Sequence, residues 1–154
     1  MDIENFFDDI KPRVIDYGRY ASNIQKGVHS EDKKGESNAA QALTDADFIV
    51  QEGLSRSFLG LNYKFNLRAE EDSPYNEKFP REAEFIVSID PIDNTLAYKK
   101  GLSGYCIVIG VHKNGHLEAG MVHTPNDGKI YCATQDCSQS WIYDDNFRSD
   151  FIFS

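Results

Sequence analysis

Residues 105–123 read YCIVIGVHKNGHLEAGMVH, two apolar runs on either side of a polar Asn-Gly turn. Asn-Gly between apolar runs is the strongest short-range signal for a β-hairpin, because both residues tolerate the positive φ angles of a type I′ turn. The pattern predicts one strand from Tyr105 to Val111 and a second from Leu117 to His123. An antiparallel sheet is therefore expected to form around this hairpin.

Further strands are predicted on both sides of the hairpin. Upstream, residues 63–67 alternate apolar and polar side chains, and residues 84–89 (EFIVSI) form a short apolar run. Downstream, an Asn-Asp-Gly turn precedes a strand over residues 129–134. The tail, residues 148–154 (RSDFIFS), stops inside an apolar run with no turn or cap after it, which predicts an edge that needs cover. That cover is expected from a partner subunit or from a missing C-terminal half.

The first part of the chain has the pattern of two helices. One apolar stripe has helical spacing over Ile3, Phe6, Phe7, Ile10, Val14, Tyr17, Ala21 and Ile24. Pro12 is expected to start or kink this helix, and residues 26–39 are polar enough to predict a surface loop. A second helix is predicted to begin near Thr44 and to end about Gly60. Two helices on a mostly antiparallel sheet make an α+β fold, expected as a single domain over residues 1–154.

Composition narrows the classes of function. The 154 residues include 16 Lys+Arg and 25 Asp+Glu, a formal net charge of -9. A negative net charge repels the phosphate backbone of nucleic acids, so no nucleic acid partner is expected. No basic signal peptide and no apolar run long enough to span a bilayer is found, so no membrane is expected either, and the cytoplasm is the expected location. The three cysteines lack CxxC spacing, which gives no disulfide framework and no zinc finger.

The segment from Ser88 to Thr95, SIDPIDNT, carries the clearest chemical signal. It lies between the EFIVSI strand and a short helix closed by Gly101, and Pro91 restricts the backbone there. A turn at Pro91 can direct Asp90 and Asp93 to one point and free the Ile92 carbonyl. Two carboxylates and a carbonyl suit Mg²⁺, which prefers oxygen ligands and keeps waters for substrate to replace. The alternative is that both aspartates cap the helix.

The amides of Asn94 and Thr95 are expected at the N-terminus of that short helix. Unpaired N–H groups and the helix dipole favour an anion at such a position. The segment therefore predicts that a cation and a phosphate group share one site.

Two further acidic segments lie earlier in the chain. Glu70 and Glu71 follow the strand over residues 63–67, where the alternative is a solvated loop. Parallel strand ends would bring Glu70 beside Asp90, and a bound cation would relieve the repulsion between them. Leu43–Asp47 (LTDAD) has capping-box form, which is a complete structural explanation. The functional interpretation pairs the Asp47 carboxylate with the Thr95 hydroxyl, so that both orient a water nucleophile.

Taken in order, the strings LTDAD, AEED and IDPIDNT resemble the N-terminal motifs of the inositol monophosphatase family. The resemblance implies an N-terminal half of an α/β layered fold and Mg²⁺-dependent hydrolysis of a small phosphorylated substrate, with inhibition by lithium. It implies the following site residues. Glu70, Asp90, the Ile92 carbonyl and Asp93 bind metal, Asn94 and Thr95 bind phosphate, Asp47 with Thr95 activates water, and Glu71 supports the ligands.

The sequence departs from the family pattern in two places. Asn94 stands where the family usually has glycine, which narrows the space around phosphate. The later W-D-x-A motif is absent, because Trp141 is followed by Ile142. A non-catalytic truncated paralogue that binds metal or a partner chain, or a homodimer, is therefore an open alternative. So is a bisphosphate nucleotidase or sugar bisphosphatase of the same superfamily.

Other metal-ligating residue types have simpler explanations. His112 and His116 flank the Asn-Gly turn without a third ligand at zinc spacing, so they are expected as solvated hairpin residues. Cys106 and Cys132 lie within apolar strand sequences and are expected in the core. Lys33 or Lys34 lies in the predicted loop, where the family often has a lysine near the metals.

Overall fold

The computed structural model describes residues 1–30, 36–135, 140–144 and 147–151. The elements are α1 (Ile3–Ser30), α2 (Glu36–Leu59), β1 (Asn66–Ala69), a 3-10 turn (Asn76–Lys78), β2 (Phe85–Asp93), α3 (Thr95–Lys99), β3 (Cys106–Lys113), β4 (His116–Thr124), β5 (Lys129–Thr134), β6 (Ser140–Asp144) and β7 (Phe147–Phe151). The strands form one sheet in chain order, β1 to β7. Only the β1–β2 pair is parallel, so the expected mostly antiparallel α+β fold is confirmed.

The two long helices cover one face of the sheet. The α1 stripe buries Phe6, Phe7, Ile10 and Val14, and α2 buries Val50, Leu54 and Phe58. These side chains form one apolar core with the helix-facing side chains of the strands, namely Val87, Ile89, Ile107, Ile109, Val111 and Met121. Alternate strand residues face the other side of the sheet. Only the helix-covered face is therefore part of this core.

The local turns follow the sequence closely. Asn114 and Gly115 have φ angles of 52° and 80°, as the type I′ hairpin between β3 and β4 requires. Gly128, in the turn before β5, also has a positive φ angle of 73°. The short helix α3 is followed by Gly101 at φ 70°, which ends the helix in the left-handed region.

The helix boundaries differ from three expectations. Helix α2 begins at Glu36, so Thr44 lies inside it, and its hydroxyl donates to the Ala40 carbonyl at 3.1 Å rather than capping a helix. Helix α1 continues through Pro12 to Ser30. The predicted loop over residues 26–39 is therefore helical at both ends, and residues 31–35, with Lys33 and Lys34, lie outside the described residues. Tertiary packing supports the earlier start of α2, because Ala42 and Leu43 are buried.

The end of the sheet was only partly expected. Strand β6 was not predicted, although Trp141 and Tyr143 alternate as buried side chains of its helix-covered face. Strand β7 pairs with β6 and forms the outer strand of the described sheet. The predicted apolar run continues into residues 152–154, which lie outside the described residues. None of the described helices is both long and apolar enough to cross a bilayer.

Candidate metal and phosphate site

The parallel pairing of β1 with β2 brings two acidic segments together. Ala69 pairs with Ile89, so the next residues along the chain, Glu70 just after β1 and Asp90 within β2, lie side by side. Their carboxyl groups are close enough to interact directly. Two carboxyl groups in contact cannot both be charged without repulsion. Burial and then the Glu70 charge raise the pKa of Asp90 to about 6.

A β-bulge in β2 changes the direction of the chain at the site. Asp90 pairs with Val108 and Asp93 with Cys106, so two residues on β2, Pro91 and Ile92, lie opposite one on β3. Proline lacks the donor that a regular ladder requires, and bulges redirect side chains at the ends of strands. The Ile92 amide donates a hydrogen bond to the Asp90 carboxylate, which favours its charged form. Asp90 is thus half-buried and held by its own strand.

Helix α2 contributes a third acid, Asp47. The Asp47 side chain lies close to Glu70, Glu71 and Asp90, and the charge of each of them disfavours ionisation of the Asp47 carboxyl group. Burial, followed by these charges, raises the pKa of Asp47 to about 7, against a partial opposing effect of Lys99. Three separate segments of the chain therefore bring negative charge to one place.

Asn94 makes the turn between β2 and α3. Its backbone has φ 64° and ψ 57°, the left-handed region that asparagine tolerates better than most residues. Its side chain accepts from the Ala97 amide at 3.4 Å and donates to the Gly104 carbonyl at 2.8 Å. The asparagine that replaces the usual glycine of the family is thus accommodated by local hydrogen bonds. Its side chain is directed to the loop before β3.

Asp93 is exposed beside this turn and already has two hydrogen-bond donors. The Asn94 amide donates to one carboxylate oxygen at 2.8 Å, and the Cys106 thiol donates to the other at 3.7 Å. Burial and the Asp93 charge raise the pKa of Cys106 to about 11, so this cysteine is a neutral donor. The Asn94 amide can contact a phosphate only after the Asp93 carboxylate has turned away.

Some expected contacts are not formed. The described residues include no hydrogen bond between the Thr95 hydroxyl and Asp47, although Thr95 is exposed at the first position of α3. Among the residues that the structure describes, no three His, Cys, Asp or Glu side chains are grouped closely enough to hold a metal ion. The acids are neighbours that repel one another. Binding of a cation would require Asp93 and at least one other side chain to turn toward a common point.

Gln51 is a residue of this site that the motifs did not identify. It lies one helical turn after Asp47 on α2 and is 1% exposed. Its side-chain amide donates to the Glu71 carbonyl at 2.6 Å, and its side-chain oxygen accepts from the Glu71 amide at 2.8 Å. This paired contact fixes the Glu70–Glu71 segment against α2. The available signal was a polar residue in register with the apolar stripe of α2, three residues before Leu54 and seven before Phe58.

Comparisons with known proteins identify a matching family and similar solved structures. The profile of the inositol monophosphatase family matches residues 17–146. The fold is similar to Mycobacterium tuberculosis SuhB (18% identity, TM-score 0.60) over 92% of this chain and 51% of that chain. It is also similar to Bartonella henselae suhB (16%, 0.66), over 90% and 52%, and to Bacteroides thetaiotaomicron CysQ (18%, 0.59), over 91% and 48%. No curated protein matches the chain. This chain therefore spans about half the length of these solved relatives.

Proposed function

Because this chain belongs to the inositol monophosphatase family, we propose that it forms the Mg²⁺-binding portion of a phosphate monoester hydrolase. The contact between Glu70 and Asp90, with Asp47 beside them, is the observation that carries the proposal. Carboxylates brought together against their mutual repulsion destabilise a fold unless a cation or a proton offsets the charge. Residues 1–154 would then form one metal-binding domain.

The donor chemistry of the site fits Mg²⁺. Glu70, Asp90 and Asp93 would provide carboxylate oxygens, and Ile92 would provide its carbonyl at the bulge, while Glu71 supports Glu70. These are all hard oxygen donors, which Mg²⁺ prefers over softer metals. Mg²⁺ would supply positive charge that offsets the carboxylates and polarises a phosphate ester. Burial and the Asp93 charge raise the pKa of the Cys106 thiol, so it keeps its proton and is not counted as a ligand.

The remaining roles belong to residues of α2 and the α3 turn. The Asp47 carboxylate would orient and activate the attacking water. The Thr95 hydroxyl would orient the same water after a movement that brings it to Asp47. The Thr95 amide would donate to the phosphate, joined by the Asn94 amide once Asp93 has turned.

Magnesium-dependent stability tests the metal assignment. The melting temperature of the native chain should rise with millimolar Mg²⁺ at constant ionic strength, since a ligand at 100 times its Kd stabilises by about 2.7 kcal/mol. Asp90→Asn should abolish the rise, because a neutral amide cannot replace the anionic ligand. Asp45→Asn is the matched control, an exposed acid on α2 that contacts Gln41. An unchanged native melting temperature, or an equal rise for Asp90→Asn, would refute the assignment.

Coupling between two variants tests the role of the water-orienting pair. Asp47→Asn and Thr95→Ala should each lower kcat in an assembly that contains the complete site. Because both residues would serve one water, the double variant should be little worse than the more damaged single variant. Losses that multiply independently would contradict a shared role.

The chain spans about half the length of these solved relatives, and a second candidate function is therefore binding of metal or of a partner chain without turnover. We expect this chain alone to hydrolyse phosphate monoesters about a thousandfold more slowly than a complete site, because about 4 kcal/mol of leaving-group stabilisation is lost. Assays with inositol 1-phosphate, a nucleoside 3′,5′-bisphosphate and fructose 1,6-bisphosphate, with and without lithium, would measure this and separate the substrate classes. Turnover near 10 s⁻¹, roughly the enzyme median, would contradict the expectation.

A further inference from the structure

Helix α3 is too short to be stable through its own hydrogen bonds. It has five residues, Thr95–Lys99, whereas isolated helices shorter than about 12–15 residues are marginal in water. The last carbonyl groups of a helix also have no partners within the helix. Contacts with other parts of the chain must therefore hold α3 in place.

A buried residue of α1 provides such contacts. The Gln25 side-chain amide donates to the Tyr98 carbonyl at 3.0 Å and to the Leu102 carbonyl at 3.1 Å. Gln25 is 4% exposed, so water competes little for these hydrogen bonds. One side-chain NH₂ group thus joins α1 to the last turn of α3 and to the loop after it.

Tyr98 makes a second contact, from α3 back to α1. Its hydroxyl donates to the Ala21 carbonyl at 2.8 Å, and Ala21 lies one helical turn before Gln25. The buried Tyr98 ring packs edge-on against the Tyr105 ring, with centroids 4.8 Å apart. Buried hydrogen bonds in both directions therefore fix the end of α3 against one face of α1.

Gly18 allows this face of α1 to lie close to the sheet. It is two helical turns before Gln25, on the same side of the helix. A Cβ atom at position 18 would overlap the His123 ring on β4, so a larger residue would fit only if the ring moved. The sheet that carries the candidate site therefore also determines where α1 and Gln25 lie.

We propose that Gln25 is a positioning residue of the candidate site, because it fixes α3 and thereby the turn between Asp93 and Thr95. Asp93 is the last residue of β2 and Thr95 is the first of α3, so a shift of α3 changes the geometry between them. The Asn94 side chain holds the start of α3 through the Gly104 carbonyl, and Gln25 holds its end. This role rests on the proposed Mg²⁺ site. Gln25 acts through α3 and is not itself a ligand.

Hydrogen exchange of the α3 amides tests the contact in the absence of metal. The amides of Tyr98, Gly101 and Leu102 donate within α3 and the turn that ends it, so they report on local opening. In Gln25→Leu these amides should exchange about tenfold faster than in the native chain, because two hydrogen bonds are lost. The amides of β3 should keep their native rates. Asn23→Leu, at an exposed position of the same helix, is the matched control and should exchange as the native chain does.

Tyr98→Phe is a second variant, and it keeps the buried ring. It removes only the hydroxyl that donates to Ala21, so the Gly101 and Leu102 amides should exchange about fivefold faster for the loss of one hydrogen bond. If α1 only packed against α3, exchange in this variant would equal that of the native chain. Because the ring stays in place, Tyr98→Phe tests the contact even if Gln25→Leu does not fold.

Mg²⁺ binding then connects the contact to the candidate site. The Mg²⁺ dissociation constant, measured by calorimetry at a temperature where every variant is folded, should rise about tenfold in Gln25→Leu and stay unchanged in Asn23→Leu. Native Mg²⁺ binding that Gln25→Leu leaves unchanged overturns the positioning role, although the metal site stands. A native chain that binds no Mg²⁺ overturns the metal site and the positioning role with it. Native exchange rates for α3 in both Gln25→Leu and Tyr98→Phe overturn the contact itself.

Discussion

Replacement of Gln51 by leucine is predicted to loosen the Glu70–Glu71 segment without disturbing the core around residue 51. The Gln51 amide group makes two hydrogen bonds with the backbone of Glu71, at 2.6 and 2.8 Å. Leucine has a similar volume and suits a buried helix position. It leaves the Glu71 amide without its partner, while the Glu71 carbonyl keeps a weaker bond from Asn76 at 3.3 Å. The substitution therefore removes polar contacts selectively.

The size of the effect follows from these two bonds. A protein hydrogen bond contributes about 1 kcal/mol net to stability. Loss of both should lower the free energy of unfolding by roughly 2 kcal/mol. At 2–4 °C for each kcal/mol in a chain of about this length, the melting temperature should fall by roughly 4–8 °C. Displacement of Glu70 from Asp90 should also reduce the gain in stability that Mg²⁺ produces.

Urea unfolding with and without Mg²⁺ measures both effects. Gln41→Leu is the matched control, because Gln41 lies on the same helix but makes only an exposed bond to Asp45 at 2.8 Å. Such exposed pairs contribute less than about 0.5 kcal/mol. Gln51→Glu adds a comparison, since it can still accept from the Glu71 amide but places one more negative charge near Asp47. The reasoning fails if Gln51→Leu loses no more stability than Gln41→Leu.

Three further predictions concern the unfolding free energy without metal. Burial raises the folded-state pKa of Asp47 to about 7 from 3.8, so ionisation of Asp47 lowers the stability of the fold as pH rises through that range. In EDTA, Asp47→Asn should therefore be more stable than the native chain at pH 8 and equally stable below pH 4. Asn94→Ala should be about 1 kcal/mol less stable than Asn94→Gly, because only glycine adopts φ 64° without strain; equal urea midpoints would contradict this. Gly18→Ala should cost about 1–3 kcal/mol, because its Cβ atom would overlap the His123 ring, whereas Gly27→Ala should stabilise helix α1. A Gly18→Ala variant as stable as the native chain would show that the histidine moves freely.

The β3–β4 hairpin and the change of chain direction at Pro91 could be predicted from the sequence, because each depends on a short segment. Asn114-Gly115 requires positive φ angles wherever it occurs between apolar runs, and the structure has them. Pro91 interrupts a β ladder wherever it lies in a strand, and the structure has a bulge there. Both features follow from backbone chemistry within a few residues. They do not depend on the rest of the fold.

The boundaries of α2 and the presence of β6 could not be predicted in the same way. Thr44 and Asp47 have the spacing of a cap, and a local pattern cannot show that Ala42 and Leu43 are buried by tertiary packing. Strand β6 is five residues long, and its stability comes from pairing with β5 and β7 rather than from its own sequence. Long-range packing decided both features.

The sequence by itself determined the α+β class, the hairpin and the order of the acidic motifs, because backbone preferences and apolar periodicity act over a few residues. Only the tertiary structure decided that Asp47 on α2, Glu70 just after β1 and Asp90 on β2 lie close enough for their charges to interact. It also decided that Gln51 holds the Glu71 backbone and that the described residues leave one sheet face uncovered over β4 to β6. Electrostatic coupling and hydrogen bonding depend on distances in space, and separation along the chain does not specify those distances.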